Sequence, residues 1–207
     1  VVRYLAGEAG VSQFLDIGTG IPAPGMDNTQ EVAQGANPAS RIVYADNDPI
    51  VLAHAQALLA STREGAVAFI QADLHDPAAI LARADTTLDL AQPVAVMLLA
   101  VLHVIEDEYD RYAIVGGLMD ATAPGSYLVI SHPASDLHAG ESARGARRFS
   151  QATGLRQTNR DRAGVTRFFD GLEITGPGIV PPNHWRAAGG EDPGTELSLW
   201  AGVARKP

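Results

Sequence analysis

The stretch Phe14-Leu-Asp-Ile-Gly-Thr-Gly20 sets the terms for the whole chain. A short apolar strand carries an acid, Asp16, near its carboxyl end, and a glycine loop follows at once. Gly18 and Gly20 have no Cβ, so the backbone can turn sharply there and a ligand can come close. Open α/β sheets bind their ligands beyond the carboxyl ends of the strands. The remaining strands repeat the device, each ending in polar residues that converge on one crevice.

Read in order, residues 1–9 end a helix closed by Gly10, and residues 11–17 form the first strand. The loop from Ile21 to Gly25 contains two prolines and cannot be regular helix. Asn28 followed by Glu31 has capping-box spacing, so a helix starts near Thr29 and ends at Asn37-Pro38. Residues 41–45 form the second strand. Asp48-Pro49 and Asp76-Pro77 each pair an N-cap acid with a proline at the first helical position. Val51, Leu52, Ala55, Leu58 and Leu59 recur at helical spacing between them. Val67 to Gln71 is the third strand. Val94 to Leu99 is continuously apolar, as expected of a strand covered on both faces. A helix from about Asp107 to Ala121, a fifth strand from Tyr127 to Ser131 and two helical pieces around Gly154 follow. Leu172 to Thr175 and Leu197 to Ala204 complete the strands, with a Pro-rich loop over 177–193. Strands alternating with helices predict an α/β fold, a doubly wound and mostly parallel sheet with helices on both faces.

The chain has 207 residues, enough for one domain with a real core. A formal net charge of −9 disfavours general nucleic-acid binding, which needs a basic footprint. No apolar run approaches the roughly 20 residues of a membrane-spanning helix. With no cysteine there are no disulfides and no thiolate metal sites, which suits a cytoplasmic location. The chain opens inside a helical pattern without an initiator Met, and the expectation is a single domain over 1–207 with an N-terminal segment missing.

Two cofactors compete for the crevice. Gly18-x-Gly20-x-x-Ala23 fits a dinucleotide fingerprint, and Asp46 stands where a ribose-binding acid belongs. That fingerprint needs a helix N-terminus directly after the glycines to face a pyrophosphate. Pro22, Pro24 and Gly25 push the helix away, and Asp16 would set a carboxylate beside the phosphates. S-adenosylmethionine (SAM) has no phosphate and carries two cationic groups. Asp16 can orient its ammonium end, directly or through water. The Gly18–Gly20 backbone can lie along its methionine portion. Asp46 can accept both ribose hydroxyls. Asp73 can accept the adenine amino group while Leu74 packs near the base.

Asp16 to Gly20, Asp46, Asp73-Leu74 and Leu99 to His103 look like the successive motifs of class I SAM-dependent methyltransferases. Segments 14–22, 43–59, 94–107, 124–132 and 168–186 resemble an actinobacterial family of SAM-dependent methyltransferases, long known as a domain of unknown function. The resemblance covers nearly the whole chain. It implies a seven-stranded sheet with the last strand antiparallel, SAM as cofactor and S-adenosylhomocysteine as product. It also implies cofactor contacts from Asp16, Gly18, Thr19, Gly20, Asp46, Asn47, Asp73, Leu74 and Ala100. It leaves the methyl acceptor open.

Each of these residues has a plainer reading. The glycines could form a simple strand–helix turn, but the surrounding acids favour cofactor contact. Asp46 could be a helix cap, yet Asp48 fills that role. Asn47 either touches adenine or takes up the turn. Asp73 could close an Asx turn, though Asp76 is the better cap. His103, after the fourth strand, is the candidate catalytic residue, as a general base for the acceptor; packing under the cofactor is the alternative. His132 could also point into the pocket. His54 is expected to be structural, and His75, His138 and His184 to lie in loops or on the surface. No paired spacing marks a metal site. The expected partner is a small-molecule methyl acceptor, with room for a homo-oligomer and no membrane. A SAM-binding protein without catalysis and an NAD(P)-dependent oxidoreductase are the rival functions.

Overall fold

A computed structural model describes residues 1–22, 28–106, 109–186 and 197–207. Its elements are α1 (Val2–Gly7), β1 (Gln13–Ile17), α2 (Thr29–Ala36), β2 (Arg41–Asp46), α3 (Pro49–Leu58), β3 (Ala66–Gln71) and α4 (Pro77–Ala84). These are followed by β4 (Ala95–Leu99), α5 (Arg111–Asp120), β5 (Tyr127–Pro133), α6 (Ala139–Thr153), α7 (Arg162–Thr166), β6 (Glu173–Ile174) and β7 (Leu199–Arg205). Among the described residues the strands form one seven-stranded sheet in the order β3-β2-β1-β4-β5-β7-β6. The pairs from β3 to β5 are parallel, and β7 runs antiparallel to both β5 and β6. This is the doubly wound α/β sheet with an antiparallel last strand that the strand–helix alternation and the family resemblance predict.

Strand parity assigns every side chain to a face, because successive residues point to opposite sides. Leu15 and Ile17 of β1, Val43 and Ala45 of β2, and Val96 and Leu98 of β4 share one face with Ile80 of α4 and Leu118 of α5. Phe14, Ile42, Tyr44, Ala95 and Met97 share the other with Leu5, Ala33 and Ala55 from α1, α2 and α3. All of β1 is buried, the polar Gln13 and Asp16 included.

The helix starts follow the expected chemistry. Asn28 and Glu31 form the capping box of α2, with Glu31 Oε2 accepting from Asn28 N at 2.9 Å. Asp48 accepts from Ile50 N at 2.8 Å and Asp76 from Ala79 N at 3.0 Å, each before a proline. Several bounds differ from the sequence reading. Helix α5 begins at Arg111, where Asp110 accepts from the amides of Tyr112 and Ala113; Asp107 lies outside the described residues. Gly154 closes α6 at φ +75, but the chain then runs extended, and α7 needs its own cap, Asp161. The sixth strand shrinks to Glu173–Ile174, both exposed at the sheet edge. The Pro-rich loop is described only up to Arg186. Among the described residues no helix is long and apolar enough to cross a membrane.

The strand order reverses between β1 and β4, so the helices that follow these strands leave on opposite faces and a crevice opens between their carboxyl ends. That crevice holds the candidate site.

Candidate active site

The first turn into the crevice has no room for a side chain. Gly18 follows β1 at φ +73, and its amide donates to Ala45 O at 2.8 Å. A Cβ there would lie 2.7 Å from Val101 Cβ, with Val101 Cγ2 nearer still, so the β1 loop and the segment after β4 are in backbone-to-side-chain contact. Gly20, at φ +62, faces open space. Its amide donates to Asp46 Oδ2 at 3.2 Å, and Asp48 N donates to Asp46 Oδ1 at 3.0 Å. The carboxylate of Asp46 is thus fixed by one amide on each oxygen, and each oxygen keeps acceptor capacity. On the far side, Ala100 takes a left-handed backbone at φ +50, and its amide donates to the carbonyl and hydroxyl of Ser131, at 3.0 and 3.1 Å. A non-glycine residue in that region is uncommon and concentrates at functional turns.

These ends enclose a cavity of about 500 Å³. Gly18, Gly20, Asp46, Asn47, Asp73, Leu74, Ala100 and His103 all line it. Eight of the ten sequence-nominated residues therefore come together from the ends of β1, β2, β3 and β4. Asp16 and Thr19 are not in its described walls. Parity places Asp16 on the same face as Phe14, towards α2, where Oδ2 accepts from Thr29 Oγ1 at 2.7 Å. Burial pushes the Asp16 carboxyl up to about 6, and the Thr29 hydroxyl only partly offsets this. Thr19 Oγ1 is buried and without a hydrogen-bond partner among the described residues.

Asp73 combines both readings weighed for it. Its Oδ1 accepts from His75 N at 2.9 Å, an Asx turn, and lies 2.6 Å from His75 Nδ1. The His75 amide, then its imidazole, hold the Asp73 carboxyl below its ordinary value. The His75 ring packs on Tyr109 with centroids 4.3 Å apart.

His103 sits in a 3-10 turn after β4 (Leu102–Val104), buried, with Nδ1 unpartnered among the described residues. Its ring meets Phe149 of α6 edge-on at 5.3 Å. Burial, then the neighbouring His132, push the His103 imidazole down to about 4. It is neutral at pH 7, and at so low a pKa it is a weak base, well below the near-neutral value that suits a general base. His132 does not line the cavity. Arg160 Nη1 lies 2.7 Å from His132 Nε2, and a guanidinium can only donate, so Nε2 accepts and Nδ1–H donates to Pro133 O at 3.0 Å. His132 is thereby held as one neutral tautomer, its pKa lowered first by burial. His54, expected to be structural, is exposed on α3. Among the described residues no group of three or more His, Asp or Glu could hold a metal ion.

Sequence reasoning missed Val101, and it missed Phe149 and Thr153 of α6 and Leu155 just beyond its end. Arg144, Arg147 and Arg148 of α6 are exposed, and nothing in the helix's pattern announces that its C-terminal end closes the cavity. Among the described residues, the next helix after Gly20 starts at Thr29.

Comparison with known proteins gives the frame for this geometry. The S-adenosyl methyltransferase family model matches residues 1–207. The chain belongs to that family. A DUF574 family protein from Streptomyces avermitilis is 44% identical, with a TM-score of 0.89 over 100% of this chain and 79% of its own. A methyltransferase candidate from Thermobifida fusca is 39% identical, with a TM-score of 0.85 over 99% of this chain and 77% of its own. The N-methyltransferase NodS from Bradyrhizobium japonicum, solved with S-adenosyl-L-homocysteine, is 15% identical; its TM-score of 0.59 over 100% of this chain and 84% of its own shows the shared fold alone. Among functionally curated proteins, none matches the chain.

The depressed His103 pKa has a signed consequence. A folded pKa of about 4 lies below the unfolded value of about 6.5, so the unfolded state binds the proton first as pH falls. The stability tied to this group is full above pH 6.5 and is lost between 6.5 and 4. His103→Asn should therefore narrow the stability gap between pH 7 and pH 5 by roughly 1–2 kcal/mol in denaturant titrations. An unchanged gap would show that His103 titrates normally.

Proposed function

We propose that the cavity binds SAM and that the protein transfers a methyl group to a small-molecule acceptor. The observation that carries this reading is Asp46. It is a buried carboxylate at the end of β2, held by the amides of Gly20 and Asp48, and it faces the cavity across the glycine loop. Its free lone pairs suit a pair of ribose hydroxyls, and among the described residues the next helix begins only at Thr29.

The other residues take roles by position. Leu74 offers an apolar wall and Asp73 an acceptor at the adenine end, with Asn47 beside them. The open face of Gly20 and the tight turn at Gly18 leave backbone against the methionine portion. Thr19 Oγ1 is an orphaned hydroxyl near the same portion. Asp16, buried with its pKa raised, is costly to ionise alone; a ligand ammonium nearby, directly or through a water, offsets that cost. Bound SAM supplies an electrophilic methyl group on a sulfonium. What the chain adds is position and dryness: the crevice walls hold the cofactor, and Phe149 and Leu155 of the α6 end limit water. His103 lines the same cavity with Nδ1 unpartnered among the described residues; on this reading it accepts the acceptor's proton only if bound ligands raise its depressed pKa, and otherwise it packs beside the cofactor.

Two measurements check these assignments. Asp46→Ala should weaken S-adenosylhomocysteine binding by about ten- to a hundredfold in calorimetry, with the fold retained; unchanged affinity would overturn the ribose assignment. Wild-type affinity for the same ligand should fall as pH drops below about 6, because protonating Asp16 removes the charge that faces the ammonium. Asp16→Asn should bind more weakly at pH 7.5 and lose that acid limb. A variant that kept the same limb would place the titrating group elsewhere.

A further inference from the structure

The first turn of α2 reaches back to β1. Thr29, the first residue of the helix, donates from Oγ1 to Asp16 Oδ2 at 2.7 Å. Among the described residues this is the one hydrogen bond that the Asp16 carboxylate accepts, so Oδ2 is fixed and Oδ1 has no donor. Asp16 is 8% exposed, and a buried carboxylate with one oxygen unserved is costly to keep charged until something completes it. Gly18, close after it on the same loop, lines the cofactor cavity.

The Thr29 bond is not needed to seat the helix. Glu31 closes the capping box on Asn28. One residue from Thr29, the Gln30 amide donates to Tyr44 Oη of β2 at 3.0 Å, and that hydroxyl donates to Gln30 Oε1 at 2.6 Å. The Tyr44 ring in turn stacks on Phe69 of β3, with centroids 5.6 Å apart. The start of α2 is therefore anchored to the sheet by a buried pair that does not involve Asp16. A hydroxyl that only tied the helix down would duplicate that anchor.

We propose that Thr29 is a positioning residue for the cofactor: its hydroxyl holds one oxygen of Asp16 and leaves the other to the ammonium group of the ligand's methionine portion. It rests on SAM occupying the cavity. A donor on a carboxylate favours the charged form, so the same bond also favours the ionised Asp16 that an ammonium needs. Few other groups can mimic this titration. Tyr44, whose hydroxyl burial holds above the usual phenol range, stays neutral in acid. Glu31 is committed to the Asn28 cap, and with Arg3 of α1 it lines a separate groove.

Two ligands isolate the ammonium end: S-adenosylhomocysteine, and 5′-methylthioadenosine, which keeps adenine and ribose but has no amino-acid portion. Both are titrated by calorimetry across the acid limb. Thr29→Val keeps the side-chain shape and removes the donor. It should weaken S-adenosylhomocysteine about three- to tenfold at pH 7.5 and move its acid limb upward by roughly one pH unit. Methylthioadenosine affinity should stay within about twofold, which also reports that the variant folds. Thr29→Ser, which restores the hydroxyl, should return both affinity and limb to wild type. An unmoved limb, equal weakening of both ligands, or a serine variant that behaves like the valine one would overturn the proposal. Wild-type protein that binds neither ligand would instead overturn the cofactor reading, and that failure is seen before any variant is compared.

Discussion

Gly18 and Val101 touch where two halves of the sheet separate, and much of the crevice depends on that contact. A side chain at position 18 would collide with Val101 and would also sit at φ +73, where L residues are strained. Because the contact is so close, the β1 loop and the segment after β4 stand at a fixed separation. Gly20 then reaches Asp46, which ties the same loop to the end of β2. Three strand ends are locked together by one steric constraint and one charge-assisted hydrogen bond. Ala100, in its left-handed turn, lines the same cavity from the end of β4.

The electrostatics around this frame consist of groups kept away from their ordinary protonation behaviour. Asp16 is buried and reluctant to ionise, His103 is buried and reluctant to protonate, and His132 is locked as a neutral tautomer by a guanidinium. Arg160 is itself buried, with Nη2 unpartnered among the described residues, and it lies over the Phe168 ring at 5.7 Å. Asp46 is held by two backbone amides, and Asp73 by the amide and the ring of His75.

Much of this was legible in the residues. The Asp-Pro helix starts at 48 and 76, the capping box at Asn28, and the acids at the ends of β2 and β3 each follow from local chemistry that tertiary structure did not override. Strand ends converge because the sheet is parallel, so reading them in order amounts to reading the crevice wall. Asp16 shows the limit. Its position at a strand end was plain, but the alternation along β1 turns its side chain towards α2, and only the pairing register fixes which face that is. Phe149 and Leu155 were hidden because α6 packs over the cavity with one end alone.

The central claim is that the crevice is a SAM site, and calorimetric titration of the purified chain tests it most directly. SAM and S-adenosylhomocysteine should each bind at one site with micromolar affinity, while NAD and NADP give no heat of binding. Binding of NAD or NADP in place of the first pair, or of none of the four to folded protein, would contradict it.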